Sequence, residues 1–101
     1  MGRRDKISLD STVVVVENQV FTDLGGEVAI LQLGKGIYYG LNGIGSRVWH
    51  LIQQPKRVTQ VCDVLLKEYD VETERCQRDL LALLKQLSSE ALIEVKDEKS
   101  S

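Results

Sequence analysis

The chain has 101 residues, of which 43% are hydrophobic and 28% are charged, an ordinary composition for one soluble domain with a single core. Thirteen Lys and Arg stand against fifteen Asp and Glu, and this acidic balance disfavours binding to nucleic-acid phosphates. No apolar run approaches the roughly 18 residues that a membrane-spanning helix needs, and the basic start lacks the apolar core of a signal peptide. We therefore expect a cytoplasmic domain that binds neither membrane nor nucleic acid.

The first half of the chain has the residue pattern of β-strands. Val13–Val16 is a β-branched block, and extended patterns follow at Val20–Leu24, Glu27–Leu33 and Ile37–Leu41. The connections between these segments are short and rich in turn residues, which makes neighbouring strands antiparallel. The pattern predicts an N-terminal three-stranded antiparallel sheet, a simple meander whose third strand is Ile37–Leu41.

From Asn42 onward, apolar residues recur at the spacing of helices. Asn42 is the expected N-cap of a helix that ends near Gln54, and Thr59 is the expected N-cap of a second helix. A third helix, rich in leucine, is predicted from about Glu74 to Ser89, and the β-prone segment Leu92–Val95 follows it. The fold class is therefore α+β, a sheet followed by a three-helix bundle of winged helix-turn-helix type.

The same patterns predict how the chain is divided. We expect one folded domain over residues 11–95, a flexible N-terminus over residues 1–10, and a disordered charged tail over residues 96–101.

Residue types that carry catalysis or bind metals are scarce. Cys62 and Cys76 are too far apart in sequence for a C-x-x-C metal site, so buried free thiols are expected. His50 falls opposite the apolar stripe of the first helix, and a solvated surface histidine is favoured over a catalytic base. The glycines between positions 34 and 45 match no phosphate-binding loop. We predict no catalytic residue, no metal and no cofactor, so the chain is not expected to be an enzyme.

The strand Ile37–Leu41 is unusual for a sheet edge. Edge strands are normally protected by Lys, Pro or an inward-pointing charge, whereas this one is apolar and uncharged. The third helix is also more apolar than one buried face requires, since Leu81 and Ala82 widen its stripe. These features predict a groove for an added peptide strand. Alternatively, a helix or the tail covers the edge and Leu81 completes the core.

A winged helix also raises the possibility of DNA binding, in which case a recognition helix should be basic. The third helix begins Glu74-Arg75-Cys76-Gln77-Arg78-Asp79, so two acidic residues offset its two arginines. The charge therefore disfavours DNA as a partner.

An ordered set of motifs resembles the PqqD-like family. The set begins with Gly36–Asn42 (GIYYGLN) and Val48–Leu51 (VWHL), and it continues with Val58-Thr59 and Tyr69–Val71 before Ala91–Ile93. The resemblance covers nearly the whole chain and is strongest to the stand-alone members of lasso-peptide biosynthesis. PqqD-like proteins are the recognition elements of pathways that modify ribosomally made peptides (RiPPs).

The resemblance implies a non-catalytic protein that binds the N-terminal leader of a precursor peptide. The leader would add an antiparallel strand to Ile37–Leu41 and lie against the third helix. The resemblance also implies delivery to a leader peptidase, which is a cysteine protease, and to a macrolactam-forming cyclase. A leader chaperone for a radical-enzyme pathway and a DNA-binding winged helix remain the alternatives.

The implied peptide-binding site has two parts, an edge strand that supplies backbone pairing and a band along the third helix. Asn42 and Trp49 match the family motif but are interpreted as a helix N-cap and a core residue, and not as peptide contacts. The expected site residues are Ile37, Tyr38, Tyr39, Gly40, Leu41, Arg75, Cys76, Asp79, Leu80 and Leu83.

Overall fold

The computed structural model describes residues 7–96, which form two three-stranded antiparallel sheets and three helices. The α+β class and the predicted three-stranded sheet are confirmed, whereas the winged-helix comparison stays a prediction. The elements are β1 Thr12–Val15, β2 Gln19–Asp23, β3 Glu27–Gln32, β4 Ile37–Asn42, α1 Ile44–Leu51, β5 Lys56–Arg57, α2 Val58–Glu68, α3 Thr73–Ser89 and β6 Ile93–Val95.

The meander consists of β2, β3 and β4 in that order, with β3 in the centre. Val28 and Ile30 of β3 are buried beneath the helices, and they lie opposite Leu41 and Tyr39 of β4. Because directly opposed residues share a face of the sheet, Leu41 and Tyr39 face the helices. Their neighbour Tyr38 therefore faces away from the helices, as side chains alternate along a strand.

The extended segments up to Leu41 do not all belong to one sheet. β1 leaves the meander and forms a second sheet, in which Val13 lies opposite Lys56 of β5 and Val95 of β6. Both partner strands follow much later in the chain, so no local residue pattern announces the pairing. Neighbouring strands pair most often, so the sequence predicts the meander and misses the second sheet.

The packed part of the chain extends beyond the expected domain start at residue 11. Ile7 is only 5% exposed, and the Leu9 carbonyl accepts a hydrogen bond from the Thr59 N–H at 3.2 Å. Residues 1–6 of the expected flexible N-terminus and residues 97–101 of the expected tail lie outside the described residues.

The first helix begins one residue later than the sequence suggests. Asn42 is the last residue of β4, and the N-cap of α1 is Gly43, which has φ +57°. This left-handed backbone favours glycine, so the strand-to-helix turn depends on Gly43 and the expectation for Asn42 is wrong. The helix ends at Leu51, three residues before the expected end at Gln54.

The second helix begins at Val58, so Thr59 lies inside its first turn and is not the cap. The N-terminus of α2 is capped instead by Gln60, whose side-chain oxygen accepts a hydrogen bond from the N–H of the N-cap residue Arg57 at 3.0 Å. Glutamine and glutamate are both common three residues after the N-cap, where their side chains accept a hydrogen bond from the N-cap N–H.

The leucine-rich third helix matches its prediction to within one residue at its start. It buries Cys76, Leu80, Leu84 and Leu87 on one face, at the spacing expected for an amphipathic helix. Among residues 7–96, no helix is long and apolar enough to cross a membrane.

The core is centred on Trp49, which is fully buried and packs edge-on against Phe21 with ring centroids 5.9 Å apart. His50 also packs against Phe21, at 5.8 Å, and its Nε2 lies 3.1 Å from a carboxylate oxygen of Asp23. His50 is therefore a half-buried side chain at the surface of α1, and its contacts with Phe21 and Asp23 are not evident from the sequence.

An ion pair ties α1 to the end of α2. The Arg47 guanidinium donates two hydrogen bonds to the Glu68 carboxylate, at 2.8 Å from Nε and 2.7 Å from Nη2. This bidentate geometry is the strongest that an arginine and a carboxylate form. The hydrogen bond from Arg47 holds the pKa of Glu68 below its ordinary value.

Replacing Glu68 with Gln should lower the Tm slightly at neutral pH and have less effect in acid. Because the folded state lowers the pKa of Glu68, the ion pair stabilises the fold above the ordinary glutamate pKa. That stabilisation is lost as the pH falls through the folded-state pKa. Thermal unfolding of both proteins from about pH 7 to about pH 3 measures the effect, and a Tm difference that stays constant over this range would contradict the assignment.

Candidate peptide-binding site

β4 is an edge strand, since β3 is its only strand partner among residues 7–96. The backbone groups that point away from β3 are therefore not used by another strand of the described chain. Ile37 and Tyr38 are 44% and 72% exposed, and the strand carries no charged residue. The described residues thus contain the open, unprotected edge that the sequence predicts.

An apolar pocket with a volume of about 100 Å³ lies between the three helices. The α3 part of its lining consists of the five third-helix residues that the family resemblance implies. The full lining is Ile44, Val48, Leu65, Val71, Arg75, Cys76, Asp79, Leu80 and Leu83.

The pocket combines an apolar interior with a charged rim. Cys76 and Leu80 are buried members of the core, and half-buried Leu83 packs against that core. Arg75 and Asp79 are both well exposed, with 3.8 Å between the Arg75 Nε and a carboxylate oxygen of Asp79. An ion pair this long and this exposed contributes little stability, so both charges are available to a ligand at the mouth of the pocket.

The five predicted strand residues do not line the pocket. Leu41 connects the two features, because its side chain lies beside Gly45 at the start of α1, where an added Cβ would be 3.5 Å from it, next to the pocket residue Ile44. Tyr39 extends instead towards the end of α3, where its hydroxyl donates to the Glu90 carboxylate at 2.9 Å. Edge and pocket are therefore adjacent features joined by the start of α1.

Tyr38 and Gly40 lie on the face of the sheet that points away from the helices. The Tyr38 side chain is consequently turned away from α3, and at both positions only the backbone is available to a peptide lying against that helix. A Cβ added to Gly40 would meet no atom within 4 Å, so internal packing does not require glycine here.

Four pocket residues were not among the predicted site residues. Ile44, Val48 and Leu65 belong to the apolar stripes of α1 and α2, so their periodicity assigns them to the core. Val71 offers the one usable signal, since it is an aliphatic residue between Asp70 and Glu72 in a helix connection and is 38% exposed.

Cys76 of α3 lines the pocket, and Cys62 of α2 lies next to it. Both are free and buried, and their Sγ atoms are 3.5 Å apart. Burial raises the pKa of the Cys62 thiol to about 11, which keeps it protonated and poorly nucleophilic at neutral pH. Within residues 7–96, no cluster of three or more His, Cys, Asp or Glu side chains is arranged to hold a metal ion.

Comparison with solved structures finds two similar chains. TbiB1 in complex with the TbiA(beta) leader peptide is 31% identical with a TM-score of 0.76, and the match covers 87% of this chain and 98% of that chain. A structure of lasso peptide synthetase B1 complexed with the leader peptide shares the fold at 20% identity and a TM-score of 0.72, over 80% and 95% of the two chains. Comparison with curated proteins gives no match.

The family described as coenzyme PQQ synthesis protein D (PqqD) matches residues 27–93. This region runs from the start of β3 to the start of β6 and includes both the β4 edge and every residue that lines the pocket. The match covers more than half of the sequence, and the chain belongs to the PqqD family.

Proposed function

We propose that this chain is a recognition domain that binds the leader segment of a ribosomally made precursor peptide. The leader forms an antiparallel strand along β4 and is held against α3. The observation that carries the proposal is an open strand edge next to an apolar pocket, in a chain similar to one that is in complex with a leader peptide. In strand addition, main-chain hydrogen bonds supply affinity and side-chain pockets supply selectivity.

In this proposal, the strand residues bind the leader through their backbone and the α3 residues bind it through their side chains. Backbone groups of Ile37–Leu41 pair with the leader, and Leu80 and Leu83 offer apolar contact for a leader side chain that enters the pocket. Arg75 and Asp79 bind polar leader groups at the pocket mouth, since both are exposed there. Cys76 lines the pocket as a small apolar side chain.

We further propose that the chain is a non-catalytic adaptor that delivers the bound precursor to a leader peptidase and then to a lasso-peptide cyclase. Similarity to TbiB1 over almost its full length supports this role. Among the described residues, the two thiols contact each other and His50 pairs with Asp23, so neither cysteine is coupled to the histidine as a nucleophile to a base.

Leader binding is tested by fluorescence anisotropy with labelled leader peptides from the precursors encoded beside this gene. Alternate amides of an added strand face β4, while the others face solvent. Two modified leaders separate these sets. One is N-methylated at two amides of the first set, and the other is N-methylated at two amides of the second set. We expect one to lose at least about tenfold in affinity, equal to about 1.4 kcal/mol, and the other to bind like the unmodified leader.

Two further arms make this titration decisive. Binding to an apolar groove and backbone should change little between about 50 mM and about 500 mM salt, whereas binding to duplex DNA would weaken steeply. Equal binding of the two methylated peptides would exclude strand addition. Tight, salt-sensitive binding to duplex DNA with no leader binding would favour the winged-helix alternative.

Introducing a charge into the pocket tests the role of α3. Leu83→Glu places a carboxylate against the apolar lining, which is unfavourable without a partner, and should weaken leader binding at least about tenfold. Ala82→Glu is the matched control, because it adds the same charge to the next position of the same helix, which is exposed and outside the lining. Equal affinities of the two folded variants would remove the pocket from the site.

Reconstitution tests the adaptor role with the peptidase and cyclase encoded beside this gene. We expect no leader cleavage by this chain alone and a faster cleavage by the peptidase when the chain is present, as measured by mass spectrometry of the precursor. The folded Leu83→Glu variant should accelerate cleavage less than wild type at limiting concentration. Cleavage that is equally fast without the chain would contradict delivery, and stimulation of a radical enzyme instead would indicate the other pathway class.

A further inference from the structure

The turn that ends α3 contains a strained residue. Ala91 has φ +62°, in the left-handed region where alanine is disfavoured and glycine is common. The Ala91 N–H donates to the Ser88 carbonyl at 2.9 Å, and the Leu92 N–H donates to the Leu87 carbonyl at 3.0 Å. This pair of bonds is the Schellman pattern of helix ends, which usually has glycine at the position of Ala91.

Two neighbouring strands of the meander hold this turn. Gln32 of β3 is buried, and its Nε2 donates to the carbonyls of Glu90 and Ala91 at 3.1 and 3.4 Å. From β4, the Tyr39 hydroxyl donates to the Glu90 carboxylate at 2.9 Å. The end of α3 is therefore fixed to the sheet through residues 90 and 91.

The hydrogen bond between Tyr39 and Glu90 differs from the contacts of Gln32 because it comes from the edge strand β4. It is the one side-chain hydrogen bond that β4 makes among residues 7–96, and it joins the edge strand directly to the end of α3. The hydrogen bond to Glu90 raises the pKa of Tyr39, as expected when a hydroxyl donates to a carboxylate.

We infer that Tyr39 and Glu90 are positioning residues for leader binding, because their hydrogen bond fixes the spacing between the β4 edge and α3. This inference rests on the proposed function. α3 is one continuous helix of 17 residues, with its pocket residues between Arg75 and Leu83 and with Glu90 as its C-cap. A helix moves as a rigid body, so a shift of its end relative to β4 also shifts the pocket relative to the strand edge.

The inference is tested by leader anisotropy titrations and thermal unfolding on the same set of variants. Tyr39→Phe and Glu90→Ala should each weaken binding at least about fivefold, equal to about 1 kcal/mol. The double variant should bind no more weakly than the weaker single variant, because both changes remove one shared bond. Glu90→Gln keeps an oxygen acceptor for the Tyr39 hydroxyl and should bind within about twofold of wild type.

Ala91→Gly is the matched control at the neighbouring position of the same turn. Glycine adopts the left-handed backbone without strain, so this variant should have a higher Tm and unchanged leader affinity. In the Glu90→Ala background, Ala91→Gly should raise the Tm and leave the affinity low.

Three results would overturn the inference, and they are distinguishable. Equal leader binding by wild type and Glu90→Ala would refute positioning while leaving the proposed function intact. Recovery of affinity together with Tm in the Glu90→Ala/Ala91→Gly variant would show that Glu90 acts only on stability. Failure of wild type to bind any leader encoded beside the gene would refute the proposed function, and the inference with it.

Discussion

A β-strand carries hydrogen-bonding groups along both of its sides, and within residues 7–96 β4 shares only one side with another strand. The proposed site depends on this asymmetry. β1 joins β5 and β6 in the second sheet, so no further strand of the described chain extends the meander beyond β4. An edge with no charge or proline is normally a hazard because other chains can pair with it, and here the same property is suited to a peptide.

Much of the fold follows from local residue patterns. The β-branched and glycine-bounded segments locate the meander, and the leucine spacing of α3 locates its buried face, because an amphipathic helix shows its periodicity in a short stretch of sequence. The five α3 residues that line the pocket were implied by the resemblance to the PqqD-like family. The lack of charge along Ile37–Leu41 is also visible in the sequence alone, which left open whether a helix or the tail covers the edge.

The features that sequence reasoning missed depend on contacts between distant residues. The pairing of Val13 with Val95 leaves no trace in either segment, and the pocket needs Leu65 and Ile44 from two other helices. The type of a side chain can also suggest the wrong helix cap where the backbone conformation determines which residue caps the helix. Asn42 has the right side chain for an N-cap, yet the turn requires a left-handed residue and therefore uses Gly43.

The size of the pocket bears on how one precursor is distinguished from another. At about 100 Å³ it is smaller than an engineered cavity of about 150 Å³ that admits benzene, so it has room for a single aliphatic side chain. Backbone hydrogen bonds along β4 do not distinguish one leader sequence from another. Under the proposed function, the information that identifies a cognate leader is therefore concentrated in very few of its positions, and the remaining positions are free to drift during evolution without loss of recognition.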